Sequence, residues 1–160
     1  MNAEDLGKKR QDAHPNGTPR YYDDPNVEDT IGVAGEIAFA KKYNLKIDDS
    51  IRPEGDGGVD FIVSIKCKDG IWRKYSIDIK VAQKAYNLFV KEHEIERCAN
   101  ILVLGHYKAD KTIEFLGWET RSVMKTMPKK VFSSLGIVNY YKHRDDLRPM
   151  SKLDEILKNK

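Results

Sequence analysis

The chain has 160 residues, 33% of them charged and 40% apolar, with 28 basic against 25 acidic side chains and a formal net charge of +3. A chain of this length is expected to form one domain, residues 1–160, that needs no disulfide or structural metal to hold its core. Near-balanced charge excludes a polybasic coat-type binder, and the spacing of the two cysteines, Cys67 and Cys98, excludes a disulfide framework and a zinc-finger pattern. The opening MNAEDLGKKR has no apolar h-region, and no apolar run approaches the roughly 18 residues of a membrane span. The expectation is an intracellular, cytoplasmic protein with no membrane partner.

Residues 1–25 are polar and rich in Pro, Asn and Gly, which predicts a flexible or extended N-terminal arm. Asn26 followed by Asp29 resembles a capping box, and Val27, Ile31, Ala34 and Ala38 recur at helical spacing, so a helix is predicted to run to about Tyr43. A short apolar stretch, Leu45–Ile51, leads into the turn-rich Pro53–Gly58. Val59–Cys67 and Ile71–Val81 alternate as strands joined by Lys68-Asp69-Gly70. Glu92–Cys98 is a short helix candidate, Asn100–Tyr107 a buried strand and Thr112–Trp118 another. A short helix near Arg121–Met127, an extended piece at Gly136–Tyr141 and a terminal helix from Ser151 complete the reading.

The hairpin carries the chemistry. Tyr75, Ile77, Ile79 and Val81 share one face of their strand, with Ser76, Asp78 and Lys80 on the other; Val59, Phe61, Val63 and Ile65 likewise oppose Asp60. If both apolar sets enter one core, the loop must have odd length, which a three-residue turn with Gly70 in the left-handed conformation provides. That register sets Asp60 directly across from Asp78, about 5 Å apart between β-carbons. Like charges so placed are destabilising unless a cation joins them. Lys80 supplies part of the compensation, and an all-oxygen donor set suits Mg²⁺, with Mn²⁺ as a substitute, rather than Zn²⁺. Glu36 is a third candidate. It stands off the Val27/Ile31/Ala34/Ala38 stripe, in a band with Gly32, Val33, Ala40 and Tyr43, and the two helical glycines, Gly32 and Gly35, suggest close approach of another group.

Gly35-Glu36-Ile37-Ala38-Phe39, Gly55-Asp56-Gly57-Gly58-Val59-Asp60-Phe61 and Asp78-Ile79-Lys80, the only acid-x-Lys tripeptide in the chain, together resemble the PD-(D/E)xK nuclease superfamily. The Gly-Asp-Gly-Gly-Val-Asp stretch is similar to that of Mrr-like restriction endonucleases. The resemblance covers roughly residues 27–107 and implies an α/β, restriction-endonuclease-like αβββαβ core with a mixed central sheet flanked by helices. It implies that Asp60 and Asp78, with the Ile79 carbonyl and an acid at Glu36, bind Mg²⁺, and that Lys80 positions or activates the attacking water. Gln83 falls where related nucleases often carry a polar residue that orients the water or the nucleic-acid backbone. Val59 replaces the usual proline, and Asp at position 78 is one methylene shorter than the commoner Glu.

Residues 121–144 hold Arg121, Lys125, Lys129, Lys130, Lys142 and Arg144 and no acid. A solvated face is the plain reading. Beside a carboxylate site, such a run also suits phosphates, so Arg121, Lys125, Lys129 and Lys130, with Lys84, are candidate DNA contacts. Residues 1–80 hold 13 basic and 15 acidic side chains and residues 81–160 hold 15 and 10, which suggests an acidic half for metal and a basic half for phosphate. Asp56 reads as a turn residue, the four scattered histidines as non-catalytic, and Trp72 and Trp118 as packing residues. The expected function is a Mg²⁺-dependent endodeoxyribonuclease acting on DNA. The alternatives are a structure-selective, Holliday-junction-type nuclease and a non-catalytic DNA-binding module that retains the fold. Many relatives cut as dimers, which makes a homodimer one compatible state although no dimer interface is legible in the sequence, and the small size is compatible with a phage-encoded enzyme.

Overall fold

A computed structural model of the chain describes residues 25–47, 59–132 and 134–160, with residues 25–29 as backbone only. The N-terminal arm, the Asn26–Asp29 capping pair, residues 48–51 of the apolar stretch and the Gly-rich loop with Asp56 lie outside the described residues or side chains.

Helix α1 spans Pro25–Tyr43. It ends in a left-handed residue, Asn44, at φ 53°, and Leu45 N–H donates to the Ala40 carbonyl, which closes the last turn in the manner of a Schellman motif. The hairpin follows as β1 (Phe61–Lys66) and β2 (Trp72–Ala82), antiparallel, with Phe61 opposite Ile77. Its turn is the predicted one: Gly70 has φ 80° and its N–H donates to the Cys67 carbonyl. Strand β3 (Asn87–Lys91) and a 3₁₀ turn (Glu92–Glu94) lead to β4 (Ile101–Tyr107), which lies parallel to β2, and β5 (Ile113–Thr120) returns antiparallel beside β4. The sheet order is β1-β2-β4-β5. Thr120 caps the short helix α2 (Arg121–Met124) by accepting from Val123 N–H. Strands β6 (Lys129–Val131) and β7 (Val138–His143) then join β3 in a second sheet of order β3-β7-β6, before helix α3 (Met150–Leu157).

Period-2 alternation puts a different core on each face of the first sheet. Phe61, Val63, Ile65, Ile77, Ile79, Ile101 and Val103 meet α1 through Phe39, Ala40 and Tyr43, and α3 through Leu153 and Leu157. Leu102 and Leu104 face the other way, onto Leu88 and Val90 of the second sheet, with Ile95, Cys98 and Met124. The protein is thus mixed α/β, with a mixed four-stranded sheet carrying helices on one side and a smaller antiparallel sheet on the other.

Three expectations need correction. Glu92–Cys98 forms a 3₁₀ turn and not an α-helix; a segment that short gains too few backbone bonds to offset helix nucleation. The β2-to-β4 crossover therefore runs through β3 and this turn. Strands β3 and β6 escape a sequence reading because each is short and pairs with the distant β7. The buried face of α1 is also turned from the expected stripe: Val33, Gly35, Glu36, Phe39, Ala40 and Tyr43 are buried with Ile31, whereas Ala34 and Ala38 are only partly so.

Candidate active site

Gly35 explains how α1 comes so close to β2. A Cβ at this position would fall inside contact distance of Val81 Cγ2 and lie 3.4 Å from Ile79 Cγ2. A Cβ on Gly32 would meet nothing within 4 Å, so only one of the two helical glycines is demanded by packing. The close approach at Gly35 carries its neighbour Glu36 into the interior, where it is 8% exposed.

The ladder ends at the Phe61–Ile77 pair; Asp60 lies one residue beyond it, where its N–H donates to the Ile77 carbonyl at 2.9 Å and its carboxyl feels the charge of Asp78. Asp60 Oδ2 accepts from Ile79 N–H at 2.7 Å, in place of a further backbone ladder bond. Because the N–H and C=O of a residue in an antiparallel pair point to the same neighbour, the Ile79 carbonyl is directed to the Asp60 side of β2. Asp78 is 6% exposed, and its Oδ2 is shut off from solvent with no aligned hydrogen-bond donor. The contact Oδ2 does make is an ion pair, 2.6 Å from Lys80 Nζ.

The electrostatics follow from this crowding. Burial, then the charges of Asp78 and Glu36, push the Asp60 carboxyl well above the usual carboxylate range, and the Ile79 N–H offsets only part of that. For Lys80, burial works against the ammonium, but Asp78, followed by Glu94 and Asp60, outweighs it and raises the pKa. Lys80 is therefore a fixed positive charge and not a neutral amine. Glu94, on the 3₁₀ turn, is a member of this constellation that sequence reasoning missed. Fourteen residues separate it from Lys80, and no local pattern shows that the crossover folds back over the strand. Cys98 lies in the fields of Arg121, Lys80 and Asp78, yet burial pushes its thiol up, so it is not an activated nucleophile.

The all-oxygen donor set and an Asp78 oxygen whose sole contact is the Lys80 ammonium fit a hard divalent cation. Among the described residues no three His, Cys, Asp or Glu side chains stand in ready coordinating positions. Mg²⁺ retains several waters and is commonly held by one or two carboxylates, a demand that Asp60 and Asp78 can meet with the Ile79 carbonyl.

The remaining candidates are not gathered there. Gln83 is exposed, one residue beyond β2, on the opposite parity from Lys80 and about 16 Å along the chain from Asp78; its carbonyl lies 3.1 Å from His106 Nε2. Lys84 is exposed. Arg121 donates to the carbonyls of Cys98 at 2.9 Å and Glu96 at 3.4 Å. Lys125 pairs with Glu96 at 2.7 Å and Lys129 with Glu92 at 2.6 Å. Lys130 lies over the Phe132 ring. Two lysines of the stretch that holds no acid in sequence are thus paired by acids from the β3–β4 connection, and Lys142 and Arg148 are drawn onto the buried Glu119 of β5, at 2.6 and 2.7 Å.

Compared with known protein families, with curated proteins and with solved structures, the chain matches none.

Proposed function

We propose that the chain is a Mg²⁺-dependent endodeoxyribonuclease with a restriction-endonuclease-like core, in which α1, β2 and the residue leading into β1 carry the site. The observation that supports this most is the convergence of Asp60 and Asp78 at the open end of the hairpin, with Lys80 held as an ammonium 2.6 Å from Asp78 Oδ2. A buried carboxylate beside a half-buried one is a costly arrangement in a merely structural role.

Asp60, Asp78 and the Ile79 carbonyl would hold the ion, with Glu36 as the acid behind Asp60. When bound, it supplies Lewis-acid polarisation of a phosphoryl oxygen and eases deprotonation of an attacking water. The protein's own groups do the rest. Ile79 N–H fixes the orientation of the Asp60 carboxylate, and Lys80 presents a permanent positive charge to the negative charge that grows on phosphate oxygens. Asn100 steadies the strand beside the acids: its side-chain oxygen accepts from both Ser76 N–H and Ser76 Oγ at 3.0 Å. No covalent enzyme intermediate is required.

The test is cleavage of supercoiled plasmid DNA with Mg²⁺ or Mn²⁺ by the parent, Asp78→Ala and Lys80→Ala. Loss of cutting in both variants, with retained folding by circular dichroism, supports the site; variants that cut like the parent refute it.

A further inference from the structure

The face of the hairpin that carries Asp60 and Asp78 continues well beyond them. Directly opposite pairs on a sheet project to the same side, and on the side of Asp78 the successive rows are Ile62/Ser76, Ser64/Lys74 and Lys66/Trp72, with Asp78 one step further along β2. Adjacent rows are about 7 Å apart, so the last lies about 20 Å from the acids. The second hydrophobic layer, built on Leu102 and Leu104 of β4, covers the sheet where β4 pairs with Ile77–Ala82 and not the outer hairpin. Ile62 is consequently 68% exposed and Trp72 57% exposed, and Ser64, Lys66 and Lys74 are exposed beside them.

The lysines on this face are also free of counter-ions among the described residues, as are Lys84 and Lys130. Lys125, Lys129, Lys142 and Arg148 each have a carboxylate partner. Arg73, on the opposite parity of β2, is tied to Asp69 at 2.8 Å. Among the described residues, Lys66 and Lys74 have none. They share a face with an exposed indole and lead directly to the candidate metal site. Cations without counter-ions and an open aromatic ring along one track are the elements that bind a single nucleic-acid strand, the lysines meeting phosphates and the ring meeting a base.

We infer that this hairpin face is a track for an unpaired DNA strand, which Lys66 and Lys74 hold by its phosphates and Trp72 by stacking on a base, and which leads the strand to Asp60 and Asp78. This rests on the nuclease reading and narrows its substrate to DNA with a single-stranded segment. A duplex fits less well. Its bases are already stacked, and the hairpin cannot enter a major groove about 12 Å wide as a bare ribbon, because α3 covers its other face through Leu153 and Leu157.

The experiment uses the full chain, with Ca²⁺ in place of Mg²⁺ for binding and Mg²⁺ for cutting. A labelled 20-nucleotide single strand and the matching duplex are titrated by fluorescence anisotropy, and tryptophan emission is recorded in parallel. The chain has two tryptophans and Trp118 is 4% exposed, so quenching by the oligonucleotide reports on Trp72. The expected results are single-strand binding tighter than duplex binding and quenching that Trp72→Ala abolishes. That variant should bind about tenfold more weakly. For Lys66→Ala/Lys74→Ala, the slope of log K against log salt should shrink by about 1.4.

Equal binding of single strand and duplex, or hairpin variants that bind and cut like the parent while Asp78→Ala is inactive, overturns the track and leaves the nuclease reading standing. Quenching of Trp72 that depends on protein concentration without DNA makes the face a contact between copies and also overturns it. A parent that neither binds nor cuts any DNA refutes the nuclease reading and the track with it.

Discussion

Lys80 Nζ lies 2.6 Å from Asp78 Oδ2, two residues along the same strand and on the same face. The contact keeps a buried carboxylate tolerable, and it holds the lysine's charge where a phosphate would meet the acids. Removing the cation should therefore affect stability as well as activity. Breaking a buried pair costs about 3–5 kcal/mol, but Lys80 is partly exposed, so Lys80→Ala is expected to cost about 1–2 kcal/mol after allowance for solvent screening. Urea unfolding measures this, and added Mg²⁺ should recover part of the loss by supplying the missing positive charge.

Asp60 yields a pH dependence of definite sign. Its folded pKa is raised, chiefly by burial and then by Asp78 and Glu36, so the native state holds its proton more tightly than the unfolded chain does. Stability from this group is present at low pH and is lost as pH rises from about 4, the unfolded Asp value, through the raised folded value. Without divalent ions the melting temperature of the parent should fall over that range more than that of Asp60→Asn. Mg²⁺ should raise the parent's Tm more at pH 8 than at pH 5, and should leave Asp60→Asn nearly unchanged; equal shifts in both proteins would count against Asp60 as a ligand.

The two helical glycines make opposite predictions. Gly35→Ala drives a methyl into Val81 and should destabilise by about 1–3 kcal/mol. Gly32→Ala meets no neighbour and should stabilise by up to about 1 kcal/mol through helix propensity. Thermal unfolding of the two variants side by side distinguishes a packing glycine from a merely tolerated one.

Glu119 is a separate structural prediction. Its side chain is 1% exposed and receives Lys142, Arg148 Nε and Thr120 N–H. Burial raises its pKa, but those three partners outweigh it and the net shift is downward. Its contribution is present above the unfolded Glu value of about 4.3 and is lost as pH falls through the lowered folded pKa. Glu119→Gln should cost about 2–4 kcal/mol at pH 7 and flatten the acid limb of the stability profile, without touching the hairpin site.

The hairpin was legible because its signals are local. Alternation of Phe61, Val63 and Ile65 against Ile77 and Ile79, together with a three-residue turn ending in Gly70, has one register that keeps both apolar sets in one core, and that register brings Asp60, just past the ladder's end, near Asp78. The helix over Pro25–Tyr43 was legible for the same reason, but its inward face was not. Which stripe of α1 is buried depends on where β2 lies, and the close contact at Gly35 selects the face that carries Glu36 inward.

Charge shows the limit most clearly. The sequence by itself determined the residue types, the period-2 faces and the hairpin parity, because these depend on neighbours a few positions apart. Only the tertiary structure decided which charges remain uncompensated. Glu92, Glu96 and Glu119 fold onto a stretch that holds no acid of its own, while Lys66 and Lys74 keep their charges on the outer hairpin. It also decided that Trp72, expected to pack, stands in solvent. Ion pairing and burial are set by distances between elements far apart in the chain, and those distances come only from how the described sheets and helices pack.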